Sequence, residues 1–269
     1  MLSEFLKIGP FVLSGYSFFY LLGLAVGCAV VLVLASREKL DRLETANYLL
    51  FTVIISVLGA KLAGAIVILI KHPADSLAEP CILWQALKKG GIFYGGLIPG
   101  AVFACFYLRT FFRPAFWKML DLTAIGAALG HAIGRVGCFM GGCCFGRPTG
   151  LPWGVEFKNL GRLPHPYAHT AVHPTQIYEA GLNLLNFVVL LLIREKRKGD
   201  GRVFAFYLVN YGIIRFLVEY FRNEEGRSYL FRGSSPLASL SIQQLLSAAL
   251  IAVGLWTLKR RRRASSLTR

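Results

Sequence analysis

The chain has 269 residues, 55% of them hydrophobic and 16% charged, with a mean hydropathy of +0.54 and a formal net charge of +16 at pH 7. A soluble domain carries about 25% charged residues, so an ordinary soluble fold is excluded. Nucleic acid is the usual partner of so basic a chain, but here the basic residues cluster in short connections between apolar runs, a distribution suited to membrane orientation and anionic lipid headgroups and not to a nucleic-acid surface.

The N-terminal MLSEFLKIGPF has neither a basic n-region nor a small-residue cleavage site, so the first apolar run is read as a retained span. Apolar runs of spanning length predict seven spans, at about residues 16–35, 48–70, 91–108, 119–138, 180–193, 203–221 and 237–258. The fourth is the least hydrophobic and is rich in Gly and Ala, which suits close helix packing. The fifth is short unless it starts within the preceding loop. The predicted fold is all-α: one polytopic integral-membrane domain over 1–269, with a small irregular outer-face domain at about 139–176 and a basic cytoplasmic tail at about 259–269. Lys and Arg set the orientation. The connections after spans one, three and five and the C-terminal tail hold 17 of them, the opposite side 10. The N-terminus is therefore expected outside and the C-terminus in the cytoplasm. No internal repeat is visible, which weakens a transporter built from duplicated halves.

Polar residues at membrane depth are the candidates for function, because an intramembrane charge is costly. Arg135 lies in G-R-V-G, where Gly134 and Gly137 let a ligand or another backbone approach. Its planar fork suits phosphate oxygens. The alternatives are snorkelling to the interface, or pairing with a buried carboxylate. In the sixth span, Tyr211, Arg215 and Glu219 share one helix face, and Arg222 follows three residues on. That face must turn inward, either as a ligand site or as an internal ion pair. The third span opens GGIFYGGLIPG, with Gly95 and Gly96 beside Tyr94; this backbone either approaches a ligand or packs against a helix. Lys61 is a further span cation that either stays buried or snorkels. HPTQIYE, from His173 to Glu179, opens the fifth span, with Pro174 suited to a first helical turn. His173, Gln176 and Glu179 either make polar contacts at the outer surface or cap the helix, and Tyr178 is read as an anchor.

Six cysteines are present. Cys28 and Cys105 fall in apolar runs and are expected to be buried packing residues, while Cys81 lies in a loop. Cys138, Cys143 and Cys144 lack the paired C-x-x-C spacing of zinc or redox motifs. They are read as small residues in a glycine-rich turn, and neither metal nor cofactor is expected.

Five motifs in order, YSFFYLLG, FYGGLIPG, G-R-V-G-C-F-M-G-G-C-C-F-G (Gly134 to Gly146), HPTQIYE and YGIIRFLVEYFR, resemble those of the bacterial prolipoprotein diacylglyceryl transferases and cover nearly the whole chain. The resemblance implies an inner-membrane enzyme that moves the diacylglyceryl group of phosphatidylglycerol onto the lipobox cysteine thiol of a preprolipoprotein, releasing glycerol 1-phosphate. By motif position, Arg135 would bind the lipid phosphate, Arg215 would be a second essential cation oriented by Glu219, and Tyr16 and Tyr211 would line the lipid site. Gly134, Gly137, Gly95, Gly96, Gly146, Arg222 and His173 would complete substrate binding. The sequence departs from the family pattern at three positions. Many members have His where this chain has Tyr94, and the signature's Asn and Glu are Cys138 and Cys143. The base for the acceptor thiol is therefore open among Tyr94, Glu219 and the substrate phosphate. Two other classes stand beside this one: an anion transporter using Arg135 and Arg215, and a membrane thiol oxidoreductase using Cys143 and Cys144.

Overall fold

A computed structural model describes residues 6–8, 11–71, 92–157, 169–196, 201–223, 229–231 and 239–267. Helix dominates: α1 Gly15–Arg37, α2 Arg42–Lys71, α3 Phe93–Phe111, α4 Phe116–Met140, α5 Thr175–Lys196, α6 Arg202–Glu219 and α7 Ile242–Leu267. Among the described residues, six short strands add three antiparallel pairs: β1 Leu6–Ile8 with β2 Phe11–Leu13, β3 Val155–Glu156 with β4 Ala171–Val172, and β5 Tyr229–Phe231 with β6 Leu240–Ser241. The connections thus carry more regular structure than an all-α reading expects.

Among the described residues, five segments are long and apolar enough to cross a membrane: Gly15–Arg37, Arg42–Ile70, Arg113–Met140, Thr175–Lys196 and Ile242–Arg261. They make this a multi-pass membrane protein. Large apolar side chains such as Leu62, Ile66, Val102, Phe106 and Leu185 are exposed on their helices, a surface that lipid covers and water would not. Helices α3 and α6 are not among these five: α3 carries Gly95, Gly96, Pro99 and Arg109, and α6 carries Asn210, Arg215 and Glu219. The fifth helix begins at Thr175, so HPTQIYE enters its first turns. The seventh runs on through the basic block to Leu267, where the sequence suggested an end near residue 258. Cys105, expected in the interior, is exposed on α3, and Cys28 is half-buried. A thiol is apolar enough to face lipid without penalty.

The chain forms two compact units, Met1–Val33 with Leu120–Arg269, and Leu34–Met119. Within the first, α1 and α4 meet through glycines spaced four apart. A Cβ at Gly23 would lie 2.6 Å from the Gly130 carbonyl oxygen, and one at Gly27 would lie 2.9 Å from that of Gly126. Small residues at that spacing let two backbones touch, which drives helix association where lipid removes the hydrophobic incentive. Asp121 on α4 accepts from the Gly201 and Phe204 backbone N–H groups at 3.0 and 2.8 Å, which satisfies the open N-terminus of α6. Asn186 on α5 accepts from Asn210 on α6 at 2.9 Å. In the second unit, α2 and α3 pack through Gly59, Gly95, Gly96 and Gly100. A Cβ at Gly96 would lie 2.6 Å from the Ser56 carbonyl oxygen. The Tyr107 hydroxyl donates to Glu44 at 2.8 Å, and Lys118 pairs with Glu38 at 3.1 Å.

Candidate active site

Helices α4, α5 and α6 each bring an ionised side chain to one polar cluster. On α4, Arg135 sits one turn after His131, and its Nε donates to His131 Nε2 at 3.0 Å. The same His131 nitrogen lies 3.3 Å from Glu179 Oε1, so it faces both members of the pair. The Arg135 Nη2 stands 2.9 Å from Glu179 Oε1 on α5, with that carboxylate side chain 1% exposed. On α6, Arg215 Nη1 stands 2.8 Å from Glu219 Oε2, the i, i+4 pair read from the sequence. The Arg215 charge also acts on Glu179, so the two pairs form one electrostatic cluster. Tyr211 faces His131 with ring centroids 5.3 Å apart and stacks on Tyr207 at 5.8 Å.

Glycines prepare the approach to this cluster in different ways. Among the described residues, nothing lies within 4 Å of a Cβ added at Gly134, next to Arg135. Gly137 instead seats α1, since its Cβ would lie 3.0 Å from the Tyr16 carbonyl oxygen, and Tyr16 itself is 42% exposed and stacked on Tyr20. Tyr94, Gly95 and Gly96 belong to the second unit, where the two glycines serve the packing of α3 on α2.

The chain after α4 is knitted to the start of α5 and the end of α6. Gly142 (φ 62°) and Cys144 (φ 63°) are both left-handed. Thr175 Oγ1 donates to the Cys144 carbonyl and Gln176 Nε2 to the Cys143 carbonyl, both at 2.8 Å. The Gly146 N–H donates to the His173 carbonyl at 2.8 Å and the Arg147 N–H to the Phe221 carbonyl at 2.9 Å. Gly146 has no room for a side chain, since a Cβ would run into the Phe221 carbonyl and the His173 Cβ. Phe145, Phe157 and Val172 form a small apolar core beneath, with Phe139 and Val155 against it. His173, one of the expected substrate contacts, is 6% exposed and packs edge-on to Phe221. Its Nδ1 lies 3.2 Å from the Tyr178 hydroxyl, which accepts from Trp153 Nε1 at 2.8 Å. Burial, and then the Arg147 charge, pull the His173 pKa below its ordinary value.

The turn also gathers three sulfurs. The Sγ atoms of Cys138, Cys143 and Cys144 all lie within 4.8 Å of one another. Cys143 is exposed and the other two are half-buried. Hydrogen bonds from Cys138 and Cys143, then the charges of Arg222 and Arg135, pull the Cys144 thiol below its ordinary range. The Arg222 charge thus reaches the sulfurs, and its Nε is buried with no hydrogen-bond acceptor among the described residues.

Sequence reasoning thus placed Arg135, Arg215, Glu219 and Tyr211 together, and it missed two members. Glu179 was read as a surface contact and proves to be the buried counter-ion of Arg135. His131 was passed over, although its i, i+4 spacing to Arg135 on one helix was the available signal. Together these features define a multi-helix membrane protein with a buried Arg–carboxylate cluster beside an irregular, cysteine-bearing turn. The family model for prolipoprotein diacylglyceryl transferase matches residues 3–260, and the chain belongs to that family. Among its relatives, the phosphatidylglycerol–prolipoprotein diacylglyceryl transferase of Clostridium tetani is 32% identical over 236 residues, covering 87% of this chain and 88% of that protein. The protein of the same name from Bordetella bronchiseptica is 33% identical over 256 residues (93% and 91%). That of Vibrio cholerae is 32% identical over 266 residues (94% and 90%).

Proposed function

We propose that the protein transfers the diacylglyceryl group of phosphatidylglycerol to the lipobox cysteine thiol of preprolipoproteins, forming a thioether and releasing glycerol 1-phosphate. One observation carries the chemistry. Arg135 pairs with Glu179 and Arg215 with Glu219, and the charge of Arg222 joins that of Arg135 at Cys144, so these five side chains carry a positive surplus, with room beside Gly134 among the described residues. A phosphate diester matches that surplus. Its negative charge grows as the carbon–oxygen bond breaks, and preset cations stabilise growing charge most.

Arg135 binds the lipid phosphate in a fork held by Glu179 and His131. Arg215, oriented by Glu219, stabilises the departing glycerol phosphate, and Arg222 adds a third cation. Tyr16 and Tyr211 line the diacylglyceryl moiety. Gly134 leaves room for the phosphate, Gly137, Gly146 and His173 brace the helix end and turn beside it, and Gly95 and Gly96 pack α3 on α2. Tyr94 stands as a catalytic group at the position where many relatives carry His. Two further helices, α3 and α6, complete seven spans of one integral-membrane domain in the bacterial inner membrane. The N-terminus lies outside, the basic tail in the cytoplasm and the loop domain at the outer face, in keeping with the Lys and Arg asymmetry.

The test is reconstitution. Purified protein in vesicles containing labelled phosphatidylglycerol is given a lipobox peptide, and thioether product and glycerol 1-phosphate are measured. Wild type produces both, and Arg135→Ala produces neither. A wild-type protein that releases no glycerol 1-phosphate sinks the reading, and an anion transporter would behave in that way.

A further inference from the structure

Cys138, Cys143 and Cys144 are absorbed by none of the roles above. We infer that their three thiolates hold a thiophilic divalent cation, zinc by preference, with a fourth position open to the acceptor thiol of the substrate. The inference rests on the transferase reading and supplies the activation of the nucleophile that the reading leaves open.

Adjacent residues in extended or helical backbone direct their side chains apart, so Cys143 and Cys144 need a special backbone to converge. The left-handed conformations of Gly142 and Cys144 provide it. The third sulfur comes from the last turn of α4, five residues earlier, and all three Sγ atoms lie within 4.8 Å of one another. Tetrahedral zinc, with bonds of about 2.3 Å to sulfur, sets its ligands about 3.8 Å apart, so closure needs shifts of about 1 Å. The turn is braced from outside by Gln176 and Thr175 on the Cys143 and Cys144 carbonyls. Such outer contacts orient ligating groups. Exposure of Cys143 leaves one side of the triad open, and three protein ligands with an open fourth position is the pattern of reactive rather than structural zinc.

The neighbourhood gives the site its use. Arg135 and Arg222 act on Cys144, so the cations assigned to the lipid phosphate border the sulfurs. A thiol bound at the fourth position would stand beside the leaving group. A metal-coordinated thiol is deprotonated outright, so the site would need no separate general base. The acceptor S–H proton goes to water as the thiolate forms on the metal. A sulfur electron pair makes the bond to the glyceryl carbon. The bond from that carbon to the phosphate oxygen breaks, and its pair leaves with glycerol 1-phosphate. The thioether, a weaker ligand than a thiolate, then leaves the metal.

Cobalt(II) titration of the purified, reduced, metal-stripped protein tests this. Wild type should bind one equivalent, with thiolate charge-transfer absorption and tetrahedral visible bands. A lipobox peptide should raise the charge-transfer intensity by about one third, three thiolates becoming four, and the same peptide with Ser for Cys should not. Cys143→Ser should weaken cobalt binding at least tenfold, and Cys28→Ser should leave it unchanged. Metal-stripped wild type should lose transfer and regain it with zinc, a comparison that stands even where Cys143→Ser fails to fold. Absent thiolate absorption, a band indifferent to the cysteine peptide, full transfer by metal-stripped protein, or a disulfide within the triad in membranes collected under thiol-blocking conditions would each overturn the inference. Expected cobalt spectra in a zinc-loaded protein that transfers nothing would instead sink the transferase reading and leave the metal site standing.

Discussion

The Arg135 guanidinium and the Glu179 carboxylate meet 2.9 Å apart, across two helices that the chain separates by a whole loop. The pair holds α4 to α5 and fixes the direction of the arginine fork. Removing one member strands a buried charge, which costs about 3–5 kcal/mol. Glu179→Gln is therefore expected to lower thermal stability in detergent and to reduce transfer, because Arg135 loses both counter-ion and orientation. Arg135→Lys keeps the charge and loses the fork, so it should fold and still transfer poorly. Thermal unfolding together with glycerol 1-phosphate release separates the two effects. Full activity in Arg135→Lys would mean that the fork is not used.

Arg215 and Glu219 form the second pair on a single helix, with the Glu219 side chain fully buried. An i, i+4 pair needs no neighbouring helix to form, so Glu219→Gln should disturb the fold less than Glu179→Gln does. Losing one preset charge-stabilising group costs about a hundredfold to a thousandfold in rate. Arg215→Ala is expected to fall in that range, mainly in kcat, while Glu219→Gln loses less. A change confined to KM would assign Arg215 to ground-state binding alone.

The helices and the sixth-span pair were legible because they rest on local rules. Apolar runs mark spans, and i, i+4 spacing puts Arg215 and Glu219 on one face whatever surrounds them. The partner of Arg135 was not legible. Glu179 lies in another helix, and only the packing of α4 on α5 decides which carboxylate meets which arginine. The cysteine triad escaped for a related reason. Its spacing suggests no ligand set, and the sulfurs converge only because Gly142 and Cys144 adopt left-handed backbone. His173, expected to touch substrate, lies against Tyr178 and Phe221, a contact that only the folded loop creates.

That contact predicts a pH dependence. Burial and Arg147 depress the His173 pKa, so the folded protein favours the neutral ring. The unfolded chain binds the proton more readily, at about pH 6.5. The stabilisation is therefore fully present above that value and is lost as pH falls through the lower folded pKa. Thermal stability of wild type should decline on acidification through the range below the ordinary histidine value. His173→Asn keeps an acceptor near the Tyr178 hydroxyl without the titration, and its decline in that range should be shallower. Identical pH profiles for the two proteins would remove His173 as the responsible group.

Gly130 faces Gly23 so closely that a Cβ added there would lie 2.7 Å from the Gly23 carbonyl oxygen. Backbone atoms cannot rotate away as a side chain can, so even Gly130→Ala must push α1 from α4. In lipid the contact between those helices relies on close van der Waals packing, and a small shift forfeits much of it. Gly130→Ala should lower the unfolding temperature in detergent, and Gly130→Leu should prevent isolation of folded protein. Gly181 on α5 has nothing within 4 Å of an added Cβ among the described residues. Gly181→Ala should therefore be neutral or slightly stabilising, because Ala is the better helix former by about 1 kcal/mol. Equal stability losses at the two positions would show that helix propensity, and not the α1–α4 contact, governs the response.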